Sequence, residues 1–337
     1  MTAASFGQVA RLDGLLKAGR IRLEAAVRIL EHLGIHPWSL LGGYGLWDER
    51  QREWGARLGM PAAWVEALGP RVPDRPGARA GSGGTALRIS VDLALARLPD
   101  GLKVRNLEIR HCPRLGELGS GLAVQERLSL HSCGWLKALP GDLRVGRSLV
   151  IGSCPSLGDI RLRAPLRDLF ASRNGNLGEV HLPPGFTGNL GLEQCSRLDT
   201  LGLPGGMLEN LFIRNCPSLG VLPVAEVHRG LRLEVSREGE AGLLPGVQVG
   251  GSAWLGFCQE GAVRIPAGLR VGSDLVLDPL WGVDEVEIPV DVQVGGLVRF
   301  PEEFLATAPT LRLPGHLRQA SFSQSADLPP FDYWGTE

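Results

Sequence analysis

Three segments, LEIRHCPRL at 107–115, LSLHSCGWL at 128–136 and LVIGSCPSL at 149–157, carry one pattern repeated every 21 residues. Each opens on an alternation of apolar and variable positions and reaches a cysteine five residues later. The six cysteines stand at 112, 133, 154, 195, 216 and 258, with gaps of 21, 21, 41, 21 and 42 residues, one or two units of the same period. Asn174 and Glu238 fill the two long gaps, and Asp92 and Leu280 extend the series at either end. A fixed period of this length marks a stacked repeat architecture. Five residues before these markers stand Leu87, Leu107, Leu128, Leu149, Leu169, Leu190, Leu211, Leu233, Ala253 and Leu275. Three before them stand Ile89, Ile109, Leu130, Ile151, Ala171, Leu192, Ile213, Val235, Leu255 and Leu277.

The L-x-L alternation predicts a short strand, with its leucines on one side and the intervening residues on the other. One such unit cannot bury its apolar side alone. Parallel stacking buries a common column and makes contacts between neighbouring units the source of stability. Many units continue into an L-P-x-G-L-x-V segment, as in LPDGLKV at 98–104, and prolines recur at 99, 140, 183, 204, 223, 245, 266 and 289. These favour extended or 3₁₀ return segments and leave few or no convex helices.

Written out, the unit is L-x-L-x-x-[C/N]-P-x-L-x-x-L-P-x-G-L-x-V. It resembles the leucine-rich repeat family, whose signature is L-x-x-L-x-L-x-x-[N/C]-x-L. The resemblance spans residues from about 87 to 305, and the short, proline-bearing units look most like those of bacterial repeat proteins, including the repeat halves of effector ubiquitin ligases. It implies a solenoid that binds another protein, with each cysteine buried in the turn after its strand. The ligase activity does not carry over: in those effectors a separate C-terminal domain holds the catalytic cysteine, whereas here every cysteine falls in the repeat frame.

Residues 1–68 follow a different rule. Ser5 and Gln8 form a capping box ahead of Val9, Leu12 and Leu16, and Leu23, Val27 and Leu30 mark a second helical stretch ending near Gly34. Trp38, Trp47, Trp54 and Trp64 add aromatic surface. The expected class is thus an α+β repeat protein: a small N-terminal helical domain or cap at 1–68, then a parallel β leucine-rich-repeat solenoid at 85–296. A Pro/Gly/Arg-rich linker at 69–84 joins them. Arg299 at an inward position breaks the register, so 297–320 reads as a C-terminal cap and 321–337 as a tail.

The 35 basic and 36 acidic side chains give a net charge of -1. Residues 1–84 hold 11 basic and 8 acidic groups (+3) and the remainder 24 and 28 (-4). This lacks the basic excess of a nucleic-acid or anionic-membrane surface and disfavours a DNA-binding role for the helical region. No apolar run reaches the ~20 residues that span a bilayer, and the first residues do not read as a secretory signal. Cytoplasmic residence is expected; an exported effector would read the same. The cysteines lack short C-x₂-C spacing, His32 and His36 have no third ligand, and the glycines of LLGGYG at 40–45 have no following lysine. No catalytic, cofactor or metal residues are expected.

The variable strand positions form a candidate binding face. One column reads Arg88, Glu108, Ser129, Val150, Phe170, Gly191, Phe212, Glu234, Trp254 and Val276. The other reads Ser90, Arg110, His131, Gly152, Ser172, Glu193, Arg214, Ser236, Gly256 and Asp278. Aromatic residues flanked by arginine are typical interface anchors. The candidate partner-binding residues are therefore Arg110, His131, Phe170, Glu193, Phe212, Arg214 and Trp254. The expected role is a non-catalytic protein-interaction scaffold of bacterial adaptor, sensor or effector type. The alternative is a subunit recruiting substrates for a catalytic chain encoded separately; self-association is open in either case.

Overall fold

The computed structural model describes residues 86–90, 95–98, 100–235, 239–240, 242–306 and 310–317, together with Leu12, Leu15, Arg20, Ala25 and Ile29. They fall into two compact units, Met1–Leu166 and Arg167–Glu337. Each is a parallel β-solenoid with turns of about 21 residues.

In the first unit, strands Ala86–Ser90, Lys103–Arg110, Ala123–His131 and Ser148–Gly152 pair in parallel. The register places Leu87, Leu107, Leu128 and Leu149 side by side, with Ile89, Ile109, Leu130 and Ile151 two residues on. All eight are at most 4% exposed. Leu98, Leu102 and Val104, then Leu118, Leu122 and Val124, close the core from the return path. Fully burying one such aliphatic side chain favours folding by ~1.5–3 kcal/mol, which is how a stack of narrow turns without helices holds together.

In the second unit, Asp168–Ser172, Asn189–Glu193, Met207–Arg214, Glu226–Val235, Ala253–Arg264, Leu275–Glu287 and Val298–Arg299 pair in sequence order. A side-chain ladder reinforces them: Asn189 Nδ2 donates to Asp168 (2.5 Å), Asn210 Nδ2 to Asn189 (2.8 Å), and the Gly230 N–H to Asn210 Oδ1 (3.0 Å). A five-residue helix, α1 (Glu302–Ala306), follows Val298–Arg299, with Phe304 buried and its ring stacked on Phe300 at 6.0 Å. Strand Thr310–Arg312 then pairs with Leu275–Glu287.

Six strands are each followed by a residue in the left-handed backbone region: His111, Ser132, Ser153, Arg173, Gln194 and Asn215, with φ between 52° and 56°. That conformation disfavours most side chains and is tolerated here because it turns the next residue inward. The inward residue is Cys112, Cys133, Cys154, Asn174, Cys195 or Cys216 in turn, all buried. Each thiol donates back to the carbonyl two residues earlier, from Cys112 to Arg110 at 3.5 Å through Cys216 to Arg214 at 3.4 Å. A β-turn then returns an apolar residue, with the Leu115 N–H on the Cys112 carbonyl (3.1 Å) and Leu157 on Cys154 (3.1 Å).

Glycines recur where successive turns approach most closely. A β-carbon at Gly146 would lie 2.1 Å from the Gln125 carbonyl oxygen, and one at Gly188 1.6 Å from that of Arg167. Gly250, Gly272 and Gly295 face carbonyl oxygens of the preceding turn at 2.2, 2.2 and 2.4 Å.

Two expectations are corrected. Among the described residues strand makes up 47% and helix 5%, so the structure is nearly all β and not α+β, and no small N-terminal helical domain is shown. Among described residues from 86 to 301 no helix occurs. Parallel stacking satisfies the strands' backbone groups from turn to turn and leaves no sheet face needing a helical layer. Of residues 1–68 only Leu12, Leu15, Arg20, Ala25 and Ile29 are described, four of them helical, and Val9 and Leu16 lie outside the described residues. His32, His36, residues 40–45, the tryptophans at 38, 47, 54 and 64, the stretch at 69–84 and the tail at 321–337 lie outside the described residues.

The second correction is one of register. Leu211 pairs with Leu231 and Leu231 with Ala253, so these turns have 20 and 22 residues instead of the 22 and 20 implied by a marker at Glu238. LRLEV at 231–235 alternates throughout, so a frame starting at Leu231 or at Leu233 satisfies the same period-2 pattern. Beyond it the strand ends lose the left-handed turn, and Ala253–Arg264 and Leu275–Glu287 continue for 12 and 13 residues with shifts of register along their pairing. The continuation puts Phe257 inward (0% exposed) and turns Cys258 outward.

Candidate binding face

Because strand residues alternate, the corrected register decides which side chains share the outward face. In the second unit one row runs Phe170, Gly191, Phe212, Arg232, Trp254, Val276 across successive paired strands. Arg232, not Glu234, lies between Phe212 and Trp254. Two residues along the strands, the second row runs Ser172, Glu193, Arg214, followed by Glu234 opposite Gly256.

The first row is packed side chain on side chain. The Phe170 ring lies over Gly191, where an added β-carbon would meet Cδ1 at 2.4 Å and Cε1 at 2.8 Å. The Arg232 guanidinium sits 5.8 Å from the Phe212 ring centre and 4.7 Å from that of Trp254. Both are within the range in which the negative face of an aromatic ring attracts a cation. Phe170, Phe212, Arg232 and Trp254 are half-buried, and Val276 is 1% exposed. Arg299, paired with Val276 and held by Asp274 at 3.0 Å, ends the row on the outward side and not at the inward position expected from the sequence. The Trp254 Nε1 atom is buried without a hydrogen-bond partner.

Charges fill the second row. Arg214 is held between two carboxylates, Nε to Glu234 at 3.0 Å and Nη1 to Glu193 at 3.9 Å. Glu234, whose side chain is only 7% exposed, relies on that pairing, since a buried lone charge is costly. Arg232 and Asp278 make no ion pair within 4 Å among the described residues. Burial lowers the Arg232 pKa, and the like charge of Arg214 adds to this against Glu234, Asp278 and Glu193. Burial raises the Asp278 carboxyl above its ordinary range, opposed by Arg232 and reinforced by Glu303 and Glu234. The half-exposed Cys258 thiol, 3.9 Å from Glu234, is likewise raised, by burial first and that carboxylate second.

Five of the seven sequence candidates, Phe170, Glu193, Phe212, Arg214 and Trp254, thus meet on one face of the second unit. Arg110 and His131 belong to the first. There Glu108 pairs with both Arg88 (2.5 Å) and Arg110, and His131 Nε2 lies 3.0 Å from Ser129 Oγ. Burial, aided by Arg110, lowers the His131 pKa. The residues missed were Arg232 and the placement of Glu234; the signal for both is the L-R-L at 231–233, 20 residues after Leu211.

In the cysteine column the thiols interact in pairs. The hydrogen bond with Cys154 and burial raise Cys133 well above the ordinary thiol range, Cys195 and burial raise Cys216 in the same way, and the same bonds lower Cys154 and Cys195. All of these thiols are buried, whereas reactive cysteines are partly exposed. Among the described residues no group of three or more His, Cys, Asp or Glu is placed to hold a metal, and no helix is long and apolar enough to cross a membrane. No family model, curated protein or solved structure matches the chain.

Proposed function

We propose that this chain is a non-catalytic scaffold of the leucine-rich-repeat type, a bacterial adaptor, sensor or effector residing in the cytoplasm or exported from it. Its second unit binds another protein through the outward strand face. The L-x-L frame, the Cys/Asn column and the 21-residue turn support the repeat assignment. One observation carries the function: Phe212, Arg232 and Trp254 stack into a half-exposed strip on a regular strand surface. Aromatic rings and arginine dominate the energetic centres of protein interfaces, and here they are ordered before any partner arrives, which lowers the entropic cost of association.

The test is affinity capture from the native cell with quantitative mass spectrometry, using the wild type, Phe212→Ala and Trp254→Ala. An interface anchor truncated to alanine costs ~2 kcal/mol or more, a loss of roughly thirtyfold in affinity. A stoichiometric protein held by the wild type and lost from both variants, each still folded by circular dichroism, is the expected outcome. Capture unaffected by either substitution would move the interface elsewhere. An enzyme as that partner would make the chain its substrate-recruiting subunit.

A further inference from the structure

We infer that the face of the second unit receives an extended segment of its partner bearing an acidic residue and, three or four residues along, a basic one, with the acid held by Arg232 and the base by Asp278. This rests on the binding role proposed above and specifies its chemistry.

Arg214 and Arg232 are not equivalent. Arg214 is already committed to Glu193 and Glu234. Arg232 has its guanidinium carbon 5.8 Å and 4.7 Å from the Phe212 and Trp254 ring centres, and makes no hydrogen bond or ion pair among the described residues. Its fork of N–H donors, which matches a carboxylate through two parallel hydrogen bonds, is left to a partner. The rings hold that fork in place, so little side-chain freedom is lost on binding.

Charge selects among anions. Arg232 and the charges that act on it, +2 from Arg232 and Arg214 and -3 from Glu193, Glu234 and Asp278, sum to -1. A phosphate dianion or a polyanion meets three carboxylates with one cation to spare. A single carboxylate needs only the Arg232 fork, and a basic residue nearby answers Asp278, the other unpaired group. The two sites lie two strands apart and two residues along, roughly 10 Å by 7 Å at ordinary strand spacings. The diagonal of ~12 Å is three to four residues of extended chain. An intervening apolar side chain would rest on Trp254.

The full chain is panned against a random peptide library displayed on phage. Selected peptides should carry Asp or Glu with Lys or Arg three or four positions away. Arg232→Gln should weaken them roughly ten- to hundredfold. Changing the peptide's acid to its amide should give the same loss, with no further loss when both changes are combined. Asp278→Asn should act the same way on the peptide's base. Peptides that need Trp254 but lack the acid would overturn this inference and leave the binding role standing. A library yielding nothing that depends on Phe212 or Trp254 would overturn both. Binding seen only after Asp327 and Asp332 of the chain are changed to asparagine would show its own acidic tail as the occupant, and a partner segment would be excluded.

Discussion

Gly191→Ala tests the packing of the aromatic row with a single methyl group. At an ordinary strand position alanine is better than glycine by ~0.5–1 kcal/mol, because glycine loses more backbone freedom on folding. At this one the added carbon would stand 2.4 and 2.8 Å from two atoms of the Phe170 ring. The ring must swing off its neighbour or the strand must shift, and overpacking of this kind costs ~1–3 kcal/mol. In the wild-type background the net change should therefore be destabilising by ~1–2 kcal/mol. In a Phe170→Ala background the obstacle is gone, and the same substitution should be neutral or stabilise by up to ~1 kcal/mol. Urea denaturation followed by circular dichroism on the four proteins gives the coupling energy directly. Equal effects in the two backgrounds would refute the seating of Phe170 on Gly191 and weaken the case for an ordered row.

Gly146→Ala should cost ~3 kcal/mol or more, the upper end of overpacking, since its methyl would meet a backbone carbonyl at 2.1 Å, while Gly141→Ala, with open space around it, should change little; urea midpoints decide. Maleimide labelling with peptide mapping should modify Cys258 first and leave Cys112, Cys133, Cys154, Cys195 and Cys216 protected until denaturant is added; rapid labelling of those five in the folded protein would refute their burial. For Asp278 the folded pKa is raised, so ionisation destabilises the fold: the group's contribution is full below the unfolded carboxylate range and is lost as pH rises through the folded value. Asp278→Asn should consequently raise the melting temperature at neutral pH, with the gain vanishing under acid conditions; a gain that is the same at both pH values would refute the assignment.

The strand frame was legible wherever one alternation only was possible. LEI at 107–109 and LVI at 149–151 admit a single choice of inward residues, and those residues are buried. At 231–235 two frames fit, and only pairing with Leu211 and Ala253 selects between them. That choice moved Arg232 onto the aromatic row, so the central cation of the candidate site was hidden behind a two-residue ambiguity. The glycines of RVGRS, QVGGS and RVGSD are visible as a motif, but their reason, a carbonyl oxygen one turn away, is a property of stacking. Near the N-terminus the reading went too far in inferring a domain, because three or four apolar residues at helical interval specify a helical face without specifying anything for it to pack on.

The parallel register has a consequence for how the chain reaches its fold. All-β proteins ordinarily fold slowly because their pairings join distant parts of the sequence. Here Leu128 pairs with Leu149 and Asn189 with Asn210, each 21 residues away. Over the stretch from 86 to 317 that separation gives a relative contact order of ~0.09, within the range of helical bundles. Loop closure for each new turn costs little, and a growing stack offers a ready template edge to the next strand. Folding can start at any neighbouring pair of turns and extend in both directions, so a nascent chain gains structure turn by turn as it emerges, without waiting for its C-terminal residues.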